Sequence, residues 1–258
     1  MSSARRISPL ERQRQIVARV ADGSVDVETL ARELGVSEIS VRRDLVTLEK
    51  QGRLLRVYGG AISNERVAFE FSFKDKESRN QSGKAAVARA AIELVEPGMS
   101  VYIDTGTTAL AVARILRAKR PNVIITINLG VASEYVGQRD VRVLVPGGEL
   151  NPVSPDLYGE WTLDLLSKVT VDLAFFGCDG VLPKEGFFAV DTRSAGVSRL
   201  MLSRSRQSWL LADSSKFGHS AMCTIAPLTA LTGIVTDSGL SAEFRRTLKE
   251  MKVGLKIG

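Results

Sequence analysis

The chain has 258 residues, 44% of them apolar and 25% charged, so it can fill one large core or two unequal ones, and a disordered or fibrous chain is excluded. The formal net charge of +6 favours an anionic partner, and residues 1–66 hold 12 Lys+Arg against 9 Asp+Glu, which makes the N-terminal end the more cationic. A single histidine, His219, excludes catalysis that needs two, and two isolated cysteines, Cys178 and Cys223, lack the companions of a metal site and read as reduced thiols.

Apolar positions Leu10, Ile16, Val17 and Val20 predict a first helix over Leu10–Ala21. A second helix over Val27–Leu34 turns Leu30, Ala31 and Leu34 to one side, with Asp26 as its N-cap. Gly35-Val36-Ser37 makes the turn: glycine suits the left-handed position after a helix end, and Ser37 caps the third helix. That helix runs to about Gln51, with Val41, Leu45 and Leu48 as its buried stripe. Its first turn exposes Glu38, Ser40, Arg42 and Arg43, the part of a helix-turn-helix that enters the major groove. Two arginines there can supply a bidentate guanine contact and a phosphate contact. Adjacent arginines on a helix are more often a solvated face paired locally, here with Asp44 or Glu38. The capped turn, the apolar stripe and the basic stretch Arg53-Leu-Leu-Arg-Val-Tyr-Gly-Gly60, read as a wing carrying Arg53 and Arg56, occur in one order and outweigh that reading.

Residues 61–82 read as an irregular polar linker between a winged helix-turn-helix, 1–60, and an α/β domain, 83–258. The latter alternates short apolar runs, predicted as strands at Ser100–Asp104, Val123–Ile127, Val141–Val145, Leu173–Gly177, Gln207–Ala212, Leu231–Thr236 and Val253–Ile257, with helical patterns such as Lys84–Val95 and Thr108–Arg117. If the strands are parallel, four loops meet at one rim. Asp104-Thr-Gly-Thr-Thr108 puts Gly106, Thr107 and Thr108 at a helix start suited to phosphate. Asn128 offers an amide, Asp179 a carboxylate for a sugar hydroxyl, and Lys216 an ammonium. Singly, each has a bland reading as a turn or surface residue; together they favour a phosphorylated sugar or polyol.

Leu30-Ala-Arg-Glu-Leu-Gly-Val-Ser37, Val41-Arg-Arg-Asp-Leu45 and Gly52-Arg-Leu-Leu-Arg-Val-Tyr-Gly-Gly60 resemble the N-terminal domain of DeoR-type bacterial regulators. Asp104–Thr108, Gly147-Gly148, Gly177–Gly180 and Leu211-Ala-Asp-Ser-Ser-Lys-Phe-Gly218 resemble the effector domain of the same family, so the likeness spans nearly the whole chain. The resemblance implies a Rossmann-like parallel-sheet sensor similar in fold to ribose-phosphate isomerases. It implies operator contacts from Ser37, Glu38, Ser40, Arg42, Arg43, Arg53, Arg56 and Tyr58, with Gly106, Thr107 and Thr108 holding phosphate and Asp104, Asn128, Asp179 and Lys216 around the rest. The family usually has histidine where Tyr58 stands, asparagine where Ile127 stands, and an acidic residue and a lysine where Ser194 and Ser198 align. Losing that carboxylate and ammonium changes which ligand fits.

The expected function is therefore a regulator, a repressor of sugar-metabolism genes, with double-stranded operator DNA, a phosphorylated sugar-like effector and further copies of itself as partners. No catalytic residue, metal or cofactor is expected. The alternatives are a sugar-phosphate isomerase drafting Asp104, Asp179 and Lys216, or a regulator whose larger domain serves oligomerisation alone. No run of eighteen apolar residues and no apolar leader segment occur, so the expectation is a cytoplasmic protein without a membrane partner.

Overall fold

A computed structural model of the chain describes residues 7–21, 25–51, 53–57, 59–62, 73–151 and 154–258. Residues 1–71 and 72–258 form separate units.

In the first unit the elements are α1 (Pro9–Ala21), β1 (Val25–Asp26), α2 (Val27–Leu34), α3 (Glu38–Lys50), β2 (Leu55–Val57) and β3 (Gly60–Ile62). Asp26 caps α2 through Thr29 N–H, and Ser37 caps α3 through Ser40 N–H, as their side chains dictate. Gly35 takes φ +64°, and the turn closes with Val36 N–H donating to the Ala31 carbonyl at 3.0 Å. Ile16, Val20, Leu30, Leu34, Val41, Leu45, Leu48, Leu54 and Ala61 form the core. Leu10, expected on the apolar face of α1, is instead exposed: it is in line with Val17 but lies in the first turn of the helix, ahead of the residues that reach the core.

Asp44, on the buried side of α3, pairs with Arg12 and accepts a 2.9 Å hydrogen bond from Gln13, both on α1. Strands β1, β3 and β2 form an antiparallel sheet in that order, with Arg56 opposite Ala61. The wing strand β3 reaches Ile62, so the expected boundary at residue 60 cuts through it.

The second unit contains α4 (Phe73–Ser78), α5 (Gln81–Ile92), β4 (Ser100–Ile103), α6 (Thr107–Leu116), β5 (Val123–Ile125), α7 (Leu129–Ser133) and β6 (Arg142–Leu144). There follow β7 (Glu149–Leu150), β8 (Leu157–Tyr158), α8 (Glu160–Ser167), β9 (Val171–Phe176), β10 (Gly180–Leu182), β11 (Gly186–Ala189) and α9 (Thr192–Ser203). The unit closes with β12 (Ser205–Leu211), β13 (Cys223–Ala226), β14 (Gly233–Thr236), α10 (Ala242–Glu250) and β15 (Gly254–Ile257). Helix α4 and the start of α5 lie inside the range expected to be linker, 61–82; of that range, 63–72 lies outside the described residues.

All seven expected strands join one sheet in the order β15-β14-β12-β9-β4-β5-β6, every pairing parallel. Parallel pairing needs crossovers, and helices cover both faces. One core layer joins Val87, Ala91, Val112 and Leu116 of α5 and α6 to Val101, Ile103 and Phe175. The other joins Leu166, Ala195, Met201 and Leu248 of α8, α9 and α10 to Tyr102, Ala174 and Phe176. A small antiparallel sheet, β10-β11-β13, adds Val181, Phe187 and Ile225 to that second layer. Among the described residues no helix is long and apolar enough to cross a membrane.

Removing one partner of a buried ion pair strands the other charge. Asp44→Ala is expected to destabilise the first unit by about 3 kcal/mol. Hydrogen exchange on the full chain checks this: α1 and α3 should lose protection while the seven-stranded sheet keeps it.

Candidate functional site

The outward side of α3 carries the groove-facing candidates. Ser37 Oγ is within 3.0 Å of Ser40 Oγ, so both hydroxyls serve the cap. Arg42 pairs with Glu38 at 2.9 Å, the local i,i+4 pair that the bland reading anticipates. Asp44 is not available to either arginine, since it turns inward to Arg12. Arg43 is exposed, and its side chain makes no hydrogen bond or ion pair among the described residues. Its guanidinium keeps all five donors, in the fork that fits guanine O6 and N7. Arg53 N–H donates to the Leu48 carbonyl at 2.8 Å, tying the wing to the end of α3. Arg56 lies on β2, and Tyr58 falls outside the described residues.

In the second unit the sheet order reverses between β4 and β9. After β4 the chain proceeds outward through β5 and β6, then returns to place β9 on the other side of β4. A crevice forms beyond the carboxyl ends of strands at such a switch point. The two loops there are Asp104–Gly106 and Gly177–Asp179, and a Cβ on Gly177 would sit 2.6 Å from the Thr105 carbonyl oxygen, so they touch. Gly106 takes φ +104°, which lets the chain turn from β4 into α6 and provides no side-chain cap. The first N–H groups of α6 therefore have no side-chain cap, beside the buried Thr107 and Thr108.

The remaining candidates differ in how far the fold already occupies them. Asp104 is buried and accepts 2.9 Å hydrogen bonds from Tyr102 Oη and Ser198 Oγ, one on each carboxylate oxygen. Burial raises its carboxyl to about 6, against the hydrogen bonds from the Thr105 N–H, Tyr102 and Ser198. Asn128 caps α7 through Val131 N–H and donates to Asp156, so both ends of its amide are engaged. Asp179 pairs with Lys76 of α4 at 2.9 Å and accepts from Val190 N–H at 3.0 Å. Lys216 is half-buried on a short 3-10 turn, where its backbone N–H donates to the Asp213 carbonyl at 2.9 Å, and its ammonium makes no ion pair or hydrogen bond among the described residues. It lies near Cys178, whose thiol burial pushes up to about 12.

Sequence reasoning missed several polar groups around these. Lys76 and Asn80 reach Asp179 and Asp213 from 103 and 133 residues away. Lys84 donates to the carbonyls of Lys76 and Arg79 and closes the end of α4. Tyr158 meets Ser194 at 3.0 Å, with the Arg193 guanidinium over its ring. Serines 194 and 198 were legible as departures. Ser198 supplies a hydroxyl to Asp104, and among the described residues no cation pairs with that carboxylate.

Comparison with known proteins places these features in a family. The family described as DeoR-like helix-turn-helix domain matches residues 12–67, and the one described as DeoR C terminal sensor domain matches residues 79–238. The chain is similar to the lactose phosphotransferase system repressor of Staphylococcus epidermidis, 32% identical, with 84% of this chain and 86% of that protein covered. It is 29% identical to the glycerol-3-phosphate regulon repressor of Escherichia coli K12, with 91% of this chain and 93% of that protein covered. Among solved structures, ribose 5-phosphate isomerase A of Methanocaldococcus jannaschii matches 54% of this chain and 55% of its own, at 20% identity and a TM-score of 0.40.

A carboxyl raised in the folded state opposes folding once it ionises. Stability from Asp104 is greatest below the unfolded value near 4, falls as pH rises through about 6, and is flat above, a loss of about 3 kcal/mol in all. Urea titrations from pH 4 to 7 should show wild type losing stability relative to Asp104→Asn across that window. A constant difference between the two would contradict the assignment.

Proposed function

Since the chain belongs to the DeoR family of DNA-binding transcriptional regulators, we propose that it represses sugar-metabolism genes and is relieved by a phosphorylated sugar or polyol. The observation that carries the DNA half is Arg43, exposed and unpaired on the outer side of a capped α3 whose inner side is locked by Asp44 to Arg12. Ser37, Glu38, Ser40 and Arg42 flank it on the groove side, and the wing with Arg53, Arg56 and Tyr58 takes phosphates. Phosphate contacts position the helix, and base-edge contacts specify the sequence. A two-fold assembly of this chain would read paired half-sites.

The effector half is supported by the uncapped start of α6 at the switch point, with Lys216 unpaired nearby in the same unit. Phosphate on Gly106, Thr107 and Thr108 satisfies the first N–H groups of α6, and Lys216 adds a compensating charge. The relatives named for glycerol-3-phosphate and lactose regulation fit a polyol or sugar carrying that phosphate. Asp179 would take a ligand hydroxyl, and Asp104 and Asn128 would hold the walls in place through Tyr102, Ser198 and Asp156. Lys76 links Asp179 to α4, the first described element after the wing. A ligand that competes for Asp179 shifts that ion pair, and so favours one arrangement of α4 over another. Differential affinity of this kind is what a ligand needs to change DNA binding.

Duplexes selected by the full chain from a random pool provide the operator probe. The log of affinity for the selected duplex should fall with log salt by about 0.9 per neutralised phosphate. Arg43→Ala should weaken specific binding by more than about 1 kcal/mol and leave the thermal midpoint unchanged. A smaller loss removes Arg43 from the groove.

Glycerol 3-phosphate and hexose phosphates should raise the thermal midpoint and release the duplex. Lys216→Ala should bind DNA normally without them and respond weakly to them. An unchanged response takes Lys216 out of the site.

A further inference from the structure

Ile39 sits in the first turn of α3 with 72% of its surface exposed. Among the described residues of the first unit, only it and Leu10 are large exposed apolar side chains. Helix propensity does not explain an isoleucine there, because a β-branched side chain loses rotamer freedom in a helix. The core does not explain it either, because Val41, Leu45 and Leu48 face the opposite way.

Its neighbours on the helix are informative. At 3.6 residues per turn, Ile39, Arg43, Val46 and Lys50 follow one line, at i, i+4, i+7 and i+11, directly opposite the buried stripe. Glu38 and Arg42, already paired with each other, fall on one flank of that line, and Ser40, engaged with Ser37, on the other. The centre of the outward face therefore presents one unpaired guanidinium and one stiff apolar side chain, held about 6 Å apart along the helix axis by a four-residue step. The major groove presents the matching pair of features: guanine O6 and N7 for the guanidinium, and the C5-methyl of thymine, the apolar group on the base edges there. Base pairs stack at about 3.4 Å, so 6 Å corresponds to about two steps. A side chain with a single dominant χ1 rotamer loses little freedom when it packs, which suits a contact that must discriminate.

We infer that Ile39 is a specificity-determining residue that packs against a thymine C5-methyl group within about two base pairs of the guanine read by Arg43. This rests on α3 being the groove-reading helix and goes beyond it by naming the base and the atom.

The test uses the full chain and the duplex it selects from a random pool. Each thymine is replaced in turn by deoxyuridine, which removes the methyl group and keeps base pairing. One thymine per half-site should cost about fourfold in affinity, the worth of one buried methyl group. With Ile39→Ala the same replacement should change affinity by less than twofold, and the thymine duplex should bind no better than the uridine duplex does to wild type. Alanine is the better helix former, so the variant should keep its thermal midpoint. If no thymine is sensitive, or if Ile39→Ala retains the full penalty, the inference is wrong while the reading of α3 stands. If no duplex is selected at all, the reading of α3 fails and this inference falls with it.

Discussion

Parallel pairing of seven strands governs the larger unit. Each crossover runs outside the sheet, so every turn from strand to helix leaves at the same edge. Asp104, Thr126, Asn128, Asp179 and Asp213 come from four turns spread over more than a hundred residues, and the constraint gathers them at that edge. The reversal of order between β4 and β9 then opens space at one place along it, next to Gly106.

Two buried aspartates show how the same side chain serves opposite purposes. Asp44 is compensated by Arg12 and Gln13 and holds α1 to α3, which lets the outer side of α3 be rigid without being covered. Asp104 meets the hydroxyls of Tyr102 and Ser198 and the Thr105 N–H but no cation among the described residues, so burial raises its carboxyl. The first arrangement is closed and structural. The second leaves a charge that an incoming group can satisfy.

The polar groups around α4 connect these ideas to regulation. Lys76, Asn80 and Lys84 tie that helix to Asp179, to Asp213 and to its own last carbonyls, while Glu77 pairs with Arg114 of α6 at 2.8 Å. The elements that frame the crevice are thus joined by ion pairs and hydrogen bonds to the stretch where the second unit begins. Such links can take more than one arrangement at small cost, unlike the close-packed layers of the sheet.

Local order was legible in the sequence because it follows from spacing and from the chemistry of single residues. The seven strands, the helices α2, α3, α5 and α6, the caps at Asp26 and Ser37 and the turn at Gly35 all follow from periodicity, capping oxygens and glycine. The small antiparallel sheet was not legible, since Gly186–Ala189 is too short to alternate, and Leu10 was misplaced because periodicity gives a residue's phase on a helix but not whether the core extends to the helix end. Residue chemistry also nominated Asp104, Asn128 and Asp179, but not the partners that now engage them. Ser198, Asp156 and Lys76 lie 94, 28 and 103 residues away, and only the crossing of strands and helices decides which of many equivalent hydroxyls, carboxylates and ammonium groups arrives within 3 Å. The outward direction of Arg43 already followed from the apolar stripe of α3, because a helix fixes each residue's direction relative to its buried side; tertiary packing alone decided that Asp44 would turn inward to Arg12, since nothing local chooses that partner over Arg42 or Arg43.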